Sequence, residues 1–226
     1  MAYICCYKEF YLLIMPQNIA VLTADMVNST LFSREETTLW LTELIDSLKN
    51  NPDFDWVLEP EIYRGDSFQC VLKTPENVLK LAVLARVLLR KHSDKTDLRV
   101  AIGIGSGNEL TDRAGTSDGE AFRLSGHLAD NIRKQKARIG IAVSVPSEPM
   151  SATLDLLETI IGNWSPAQSE VVAALLQNEN VTQISERLSV SQSAISQRLS
   201  ASKWWAVDHF LSTFPQHLAL YTKPEP

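Results

Sequence analysis

The stretch Val181–Leu199, VTQISERLSVSQSAISQRL, constrains the fold more than any other part of the chain. Ile184 and Leu188 keep helical spacing in its first half, Ile195 and Leu199 in its second, and Val190 falls between them. Ser191 stands where an N-cap belongs, since its hydroxyl can accept from the free amides of the following turn. Two short helices around a tight connection read as a helix-turn-helix, in which the first helix props the second into the DNA major groove. Ser185 and Ala194 are small, as close helix packing needs, and Ser189 stands where many such turns carry glycine.

On this reading Ser191, Gln192, Ser193, Ser196, Gln197 and Arg198 form the DNA-binding set at the start and outer side of the second helix. Gln and Arg can bond base edges through two atoms at once, and Ser can serve bases or phosphates. The competing reading is an ordinary helical hairpin with a solvated polar face.

Charge limits how such a helix holds DNA. The 226 residues carry a formal net charge of −6, which argues against a protein that coats nucleic acid but not against a sequence reader. Arg187, Arg198 and Lys203 make only a modest basic footprint, so phosphate contacts alone give weak affinity. Cys5, Cys6 and Cys70 form neither a disulfide framework nor a zinc pattern, and a reducing cytoplasm is the simplest location. The opening MAYICCYKEFYLLIMP is apolar but broken by Lys8 and Glu9, without the parts of a signal peptide, and nothing else approaches a membrane span. Residues 1–14 read as an N-terminal extension.

Residues 15–147 read as an α+β unit. Ile19–Val27 is a continuous β-rich apolar run, Ser33 and Glu36 form a capping box before a helix, and Trp56–Tyr63 and Ser67–Lys73 flank a turn at Arg64-Gly65-Asp66. Pro75 opens a second helix, LRVAIGIG from Leu98 is a buried strand, residues 108–117 are a loop, Asp118 to about Lys134 is a third helix, and Ile139–Val145 a last strand. The order β-α-β-β-α-β, then α-β, matches a ferredoxin-like core with an appended helix and strand. Its first and third strands are antiparallel neighbours, which brings Asp25 and Asp66 to one sheet edge. Two carboxylates there suit Mg²⁺ held against phosphate oxygens; alternatively Asp25 caps the next segment and Asp66 is a turn residue.

Four blocks carry a family resemblance. ADMVNS, YRGDSFQ, AIGIGSG and SDGEAF, in this order over about Ile19–Val145, resemble the SatD family and, more distantly, class III nucleotidyl cyclase domains. The resemblance implies a cyclase-like domain and carries the metal-holding role onto Asp25 and Asp66. The position of the purine-recognising lysine is Ile62, and those of the transition-state Asn and Arg are Arg123 and His127. Histidine cannot form the guanidinium fork, so the resemblance implies no cyclase activity.

Pro146 to Pro149 read as a linker, and residues 148–226 as an all-α DNA-binding domain. Its helices are Ser151–Ile161, Ser165–Gln177 with proline after the cap, the two motif helices, and about Lys203–Phe214. Most of Trp204, Trp205, Phe210 and Phe214 read as core. The chain as a whole reads as a cytoplasmic transcriptional regulator, a homodimer on double-stranded DNA whose cyclase-like domain dimerises or senses a nucleotide ligand. The alternatives are a metal-dependent nucleotide-binding or nucleotide-processing enzyme with accessory helices, and a protein-interaction module.

Overall fold

The continuous apolar run after residue 18 forms a strand, Asn18–Val27 (β1), buried on both faces over most of its length. In a computed structural model, which describes residues 18–134, 136–144 and 147–222, β1 is the middle of a five-stranded mixed sheet. Trp56–Arg64 (β2) and Ser67–Leu72 (β3) form a hairpin that turns on Gly65 and Asp66, Asp97–Ser106 (β4) follows, and Ile139–Ala142 (β5) is last. The order is β2-β3-β1-β4-β5, antiparallel except for the parallel pair β4 and β5. The first and third strands are antiparallel neighbours, as the element order predicts.

Helices cover both faces. Arg34–Lys49 (α1) starts at Ser33, whose Oγ accepts from the Glu36 amide while the Glu36 carboxylate accepts from the Ser33 amide. A 3-10 turn, Pro75–Asn77, leads into Val78–Arg90 (α2), in which every residue but Lys80 is buried. These two helices share a core with Ala20, Leu22, Ala24 and Met26 of β1. Glu120–Ile132 (α3) packs on the opposite face, where Ala121 and Phe122 meet Val21 and Val71. Gly103 permits this approach: a Cβ there would lie 2.1 Å from the Ala121 carbonyl oxygen. α3 lies mainly over β4, β1 and β5.

Five helices follow: Glu148–Ile161 (α4), Pro166–Leu176 (α5), Val181–Leu188 (α6), Gln192–Ala201 (α7) and Trp204–Thr222 (α8). Part of the expected linker is helix instead. Ser147 Oγ accepts from the Met150 amide at 3.2 Å, and Pro149 sits in the first turn of α4, where its missing N–H costs nothing. α8 also runs past Phe214, through Pro215, to Thr222. Pro215 forfeits a helical hydrogen bond, and burial of Phe214 and Leu218 on either side offsets the loss. The extension expected over residues 1–14 lies outside the described residues. Among the described residues no helix is long and apolar enough to cross a membrane.

The largest core crosses the sequence boundary near residue 147. One buried cluster runs from the sheet through α2 into Leu157, Trp164, Val172, Val207 and Phe214. A charge network lies within that junction. Arg86, fully buried, donates to both Asp97 oxygens at 2.8 and 2.7 Å and to both Glu158 oxygens at 2.8 and 3.0 Å. Arg90 donates to Asp97 at 2.8 Å and to the carbonyls of Gly162 and Trp164 at 3.1 and 2.6 Å, and Arg138 adds a third cation on Asp97 at 2.7 Å. Burial alone would raise the Asp97 carboxyl, but the guanidiniums, Arg86 foremost, hold it well below the usual carboxylate range. Trp164 extends the link, its Nε1 donating at 2.7 Å to the Ser202 carbonyl just past the end of α7.

Candidate nucleic-acid interface

α6 and α7 owe their arrangement to local hydrogen bonds and two buried isoleucines. Asn180 caps α6, its Oδ1 accepting from the Gln183 amide at 3.0 Å while Gln183 Oε1 accepts from the Asn180 amide at 2.8 Å. α6 ends at Ser189 with φ 53° and ψ 41°, the left-handed conformation that glycine adopts most easily. Ser185 bridges the turn: its Oγ donates to the Val190 carbonyl at 2.6 Å, and its own carbonyl accepts the Val190 amide at 3.1 Å. Ser191 Oγ then accepts from the Ala194 amide at 3.2 Å and starts α7. Ile184 and Ile195 are fully buried against Val171 and Ala174 of α5, giving a three-helix cluster with its own small core.

The outer side of α7 is polar. Residues advance by about 100° per step around a helix, so Ser193, Ser196, Gln197 and Ser200, all exposed, share the side opposite Ile195. Gln192 is exposed too, with its Nε2 3.2 Å from Thr182 Oγ1 of α6. Ser196 Oγ donates to the Gln192 carbonyl at 3.0 Å, which leaves its oxygen as an acceptor. Arg198 is only half exposed and lies about 60° round the helix from Ile195, outside this face. Ser191 is exposed, with its oxygen committed to the cap. Ser200 is absent from the set read from sequence, although helical spacing from Ser193 and Gln197 points to it. The basic footprint is thinner than composition implies, because Arg187 Nε is tied to Glu179 at 2.9 Å.

The acidic pair lies at one end of the sheet. Asp25 stands opposite Ser67 in the ladder, and the Met26 amide donates to the Asp66 carbonyl at 2.9 Å. The two carboxylates have separate partners. Asp25 Oδ2 accepts from Arg99 Nη1 at 3.1 Å, with Arg133 Nε 3.7 Å from Oδ1. Asp66 Oδ2 accepts from Ser29 Oγ at 2.6 Å. Among the described residues no three His, Cys, Asp or Glu side chains gather as a metal set. A divalent cation on this pair would compete with the guanidiniums already beside Asp25. Nearby, Ile62 is partly exposed on β2, Arg123 pairs with Asp118 at 2.9 and 3.0 Å, and His127 is exposed on α3.

Two comparisons bear on this geometry. The profile of the SatD family matches residues 18–210, from the start of β1 into α8. No curated protein matches the chain.

Proposed function

The chain belongs to the SatD family, and from that premise we propose that it is a cytoplasmic DNA-binding transcriptional regulator acting as a homodimer. The matched span takes in both the sheet and α6–α7, so the reading treats them as one working unit. The observation that carries the proposal is the connection from Ser189 to Ser191: a left-handed residue, a serine bridge and an N-cap in succession. With Ile184 and Ile195 anchored on α5, the pair is read as a helix-turn-helix, with α7 as the helix that enters the major groove. Gln192, Ser193, Ser196 and Gln197 are assigned to base edges, and Ser191 and Arg198 to phosphates.

The sheet unit is read as ferredoxin-like and distantly cyclase-like, serving dimerisation or ligand sensing. A homodimer follows from the thin basic footprint, because one motif touches too few base pairs for useful discrimination. The interface assigned to it is the part of β2 and β3 that α3 does not cover, around exposed Tyr63. The test is enrichment of random duplexes by the purified protein at physiological salt. A shared two-fold sequence with half-sites about one helical turn apart supports the proposal; no enriched sequence overturns it.

The adjacency of Asp25 and Asp66 favours a second reading, a metal-dependent enzyme acting on a nucleotide. Thermal melts with Mg²⁺ or Mn²⁺ and a nucleotide, beside an assay for cyclic product, decide it. Product would promote this reading above the first, and an unshifted melt would remove it.

A further inference from the structure

A cleft of about 440 Å³ opens between the 3-10 turn Pro75–Asn77, the end of α5 and one side of α8. Its lining is unevenly charged. Lys80 is the one cation among its described lining residues, and the lysine Nζ sits 2.7 Å from Asp53 Oδ2. That charge is therefore matched: the hydrogen bond from Lys80 is the main reason the Asp53 carboxyl is held below its ordinary value. Glu76 and Asp208, both exposed, have no ion-pair partner among the described residues. The cleft thus carries two unmatched negative charges.

Its remaining walls point the same way. Trp204 contributes a half-buried indole, and indole faces attract cations. Leu211 and Pro215 line the cleft together, and Pro215 has no N–H to give the Leu211 carbonyl one turn earlier. Carboxylates, a carbonyl without its usual donor and an aromatic surface all favour a ligand rich in N–H donors and positive charge. An anion would be repelled. We infer that this cleft binds a small organic cation, an ammonium or guanidinium head on a short apolar body.

The location gives such a ligand a route to α7. Trp204 packs against Trp164 with ring centroids 6.4 Å apart, and Trp164 Nε1 is bonded to the Ser202 carbonyl past the end of α7. Resting on the DNA-reading function proposed above, occupancy of the cleft changes the affinity of α7 for its duplex.

The experiment is a thermal melt of the full chain at fixed ionic strength with choline, putrescine or agmatine, each against sodium. At least one should raise the melting temperature with increasing concentration. The variant Glu76→Gln with Asp208→Asn should need at least tenfold more of it for the same rise. Circular dichroism and its ligand-free melt check that the variant is folded; if it is not, Asp208→Asn alone, on the exposed side of α8, takes its place. No rise with any of the three, or an equal rise in the variant, overturns the inference. On a selected duplex, the active amine should shift half-saturation of the wild type at least threefold and leave the variant unmoved. A chain that melts higher with amine but binds no duplex fails the regulator reading alone. One that binds duplex and ignores the amines fails this inference alone.

Discussion

Single residues decide whether α7 is presented at all. Ser189 holds a left-handed backbone that costs a non-glycine residue roughly 1–2 kcal/mol, part of which glycine gives back as chain entropy. Ser189→Gly should therefore raise stability by up to about 1 kcal/mol, and Ser191→Ala should lower it by about 1 kcal/mol through loss of the cap. Paired chemical denaturations read both signs. At the surface, Gln197→Ala should cost about 1–3 kcal/mol and relax sequence preference, as loss of a base contact does. Arg198→Ala should instead weaken all duplexes alike and reduce the salt slope by about 1. Competition binding at two salt concentrations separates these outcomes, and lost preference in Arg198→Ala would move that residue to the bases. The cap at Ser191 was legible in sequence because capping depends on three neighbouring residues. The position of Arg198 outside the exposed face was not, because it depends on which side of α7 is turned to α5.

At the scale of elements, α2 and its network carry the junction. The stretch LKLAVLARVLLR reads as a helix with an apolar face, yet Arg86 and Arg90 stand one turn apart on a helix buried all round. Two arginines so placed require buried acceptors, a demand that a helix read as having one apolar face does not reveal. Their partners were not legible either: Glu158 and the Trp164 carbonyl lie 72 and 74 residues away in sequence, beyond the reach of any local pattern. Asp97→Asn leaves three guanidiniums around a neutral amide and should cost about 3–5 kcal/mol. The pH dependence follows from the depressed carboxyl of Asp97. Its contribution is present in full above the unfolded value near 3.9 and is lost as pH falls below it toward the lower folded value. Urea midpoints should thus drop below about pH 5 in the wild type, and in Asp97→Asn this part of the acid loss should vanish. Any decline that sets in nearer neutral pH belongs to His92, whose imidazole burial holds below its ordinary value. An undiminished drop below about pH 5 in Asp97→Asn would assign the acid loss to other groups.

For the molecule as a whole, the antiparallel pairing of β1 with β3 was legible, because the hydrophobic runs and the turn at Gly65 and Asp66 mark both strands and the hairpin that returns the chain. The union of sheet and helices was not, since a proline-bearing segment that reads as a linker begins α4 instead. The assembly proposed for DNA binding makes a direct prediction: light scattering at micromolar concentration should report a dimer, and Tyr63→Glu on the uncovered part of β2 should give monomers that stay folded. A wild-type monomer with and without duplex would sink it. The shared core bears on modularity. α2 is covered by the sheet on one side and α5 on the other, so a cut near residue 147 strips both fragments of an apolar wall and strands Arg86 without Glu158. The helical region and the sheet are then not interchangeable cassettes. If α7 reads DNA as proposed, a change of partner sequence is reached by substitution on its surface rather than by exchange of the whole helical region.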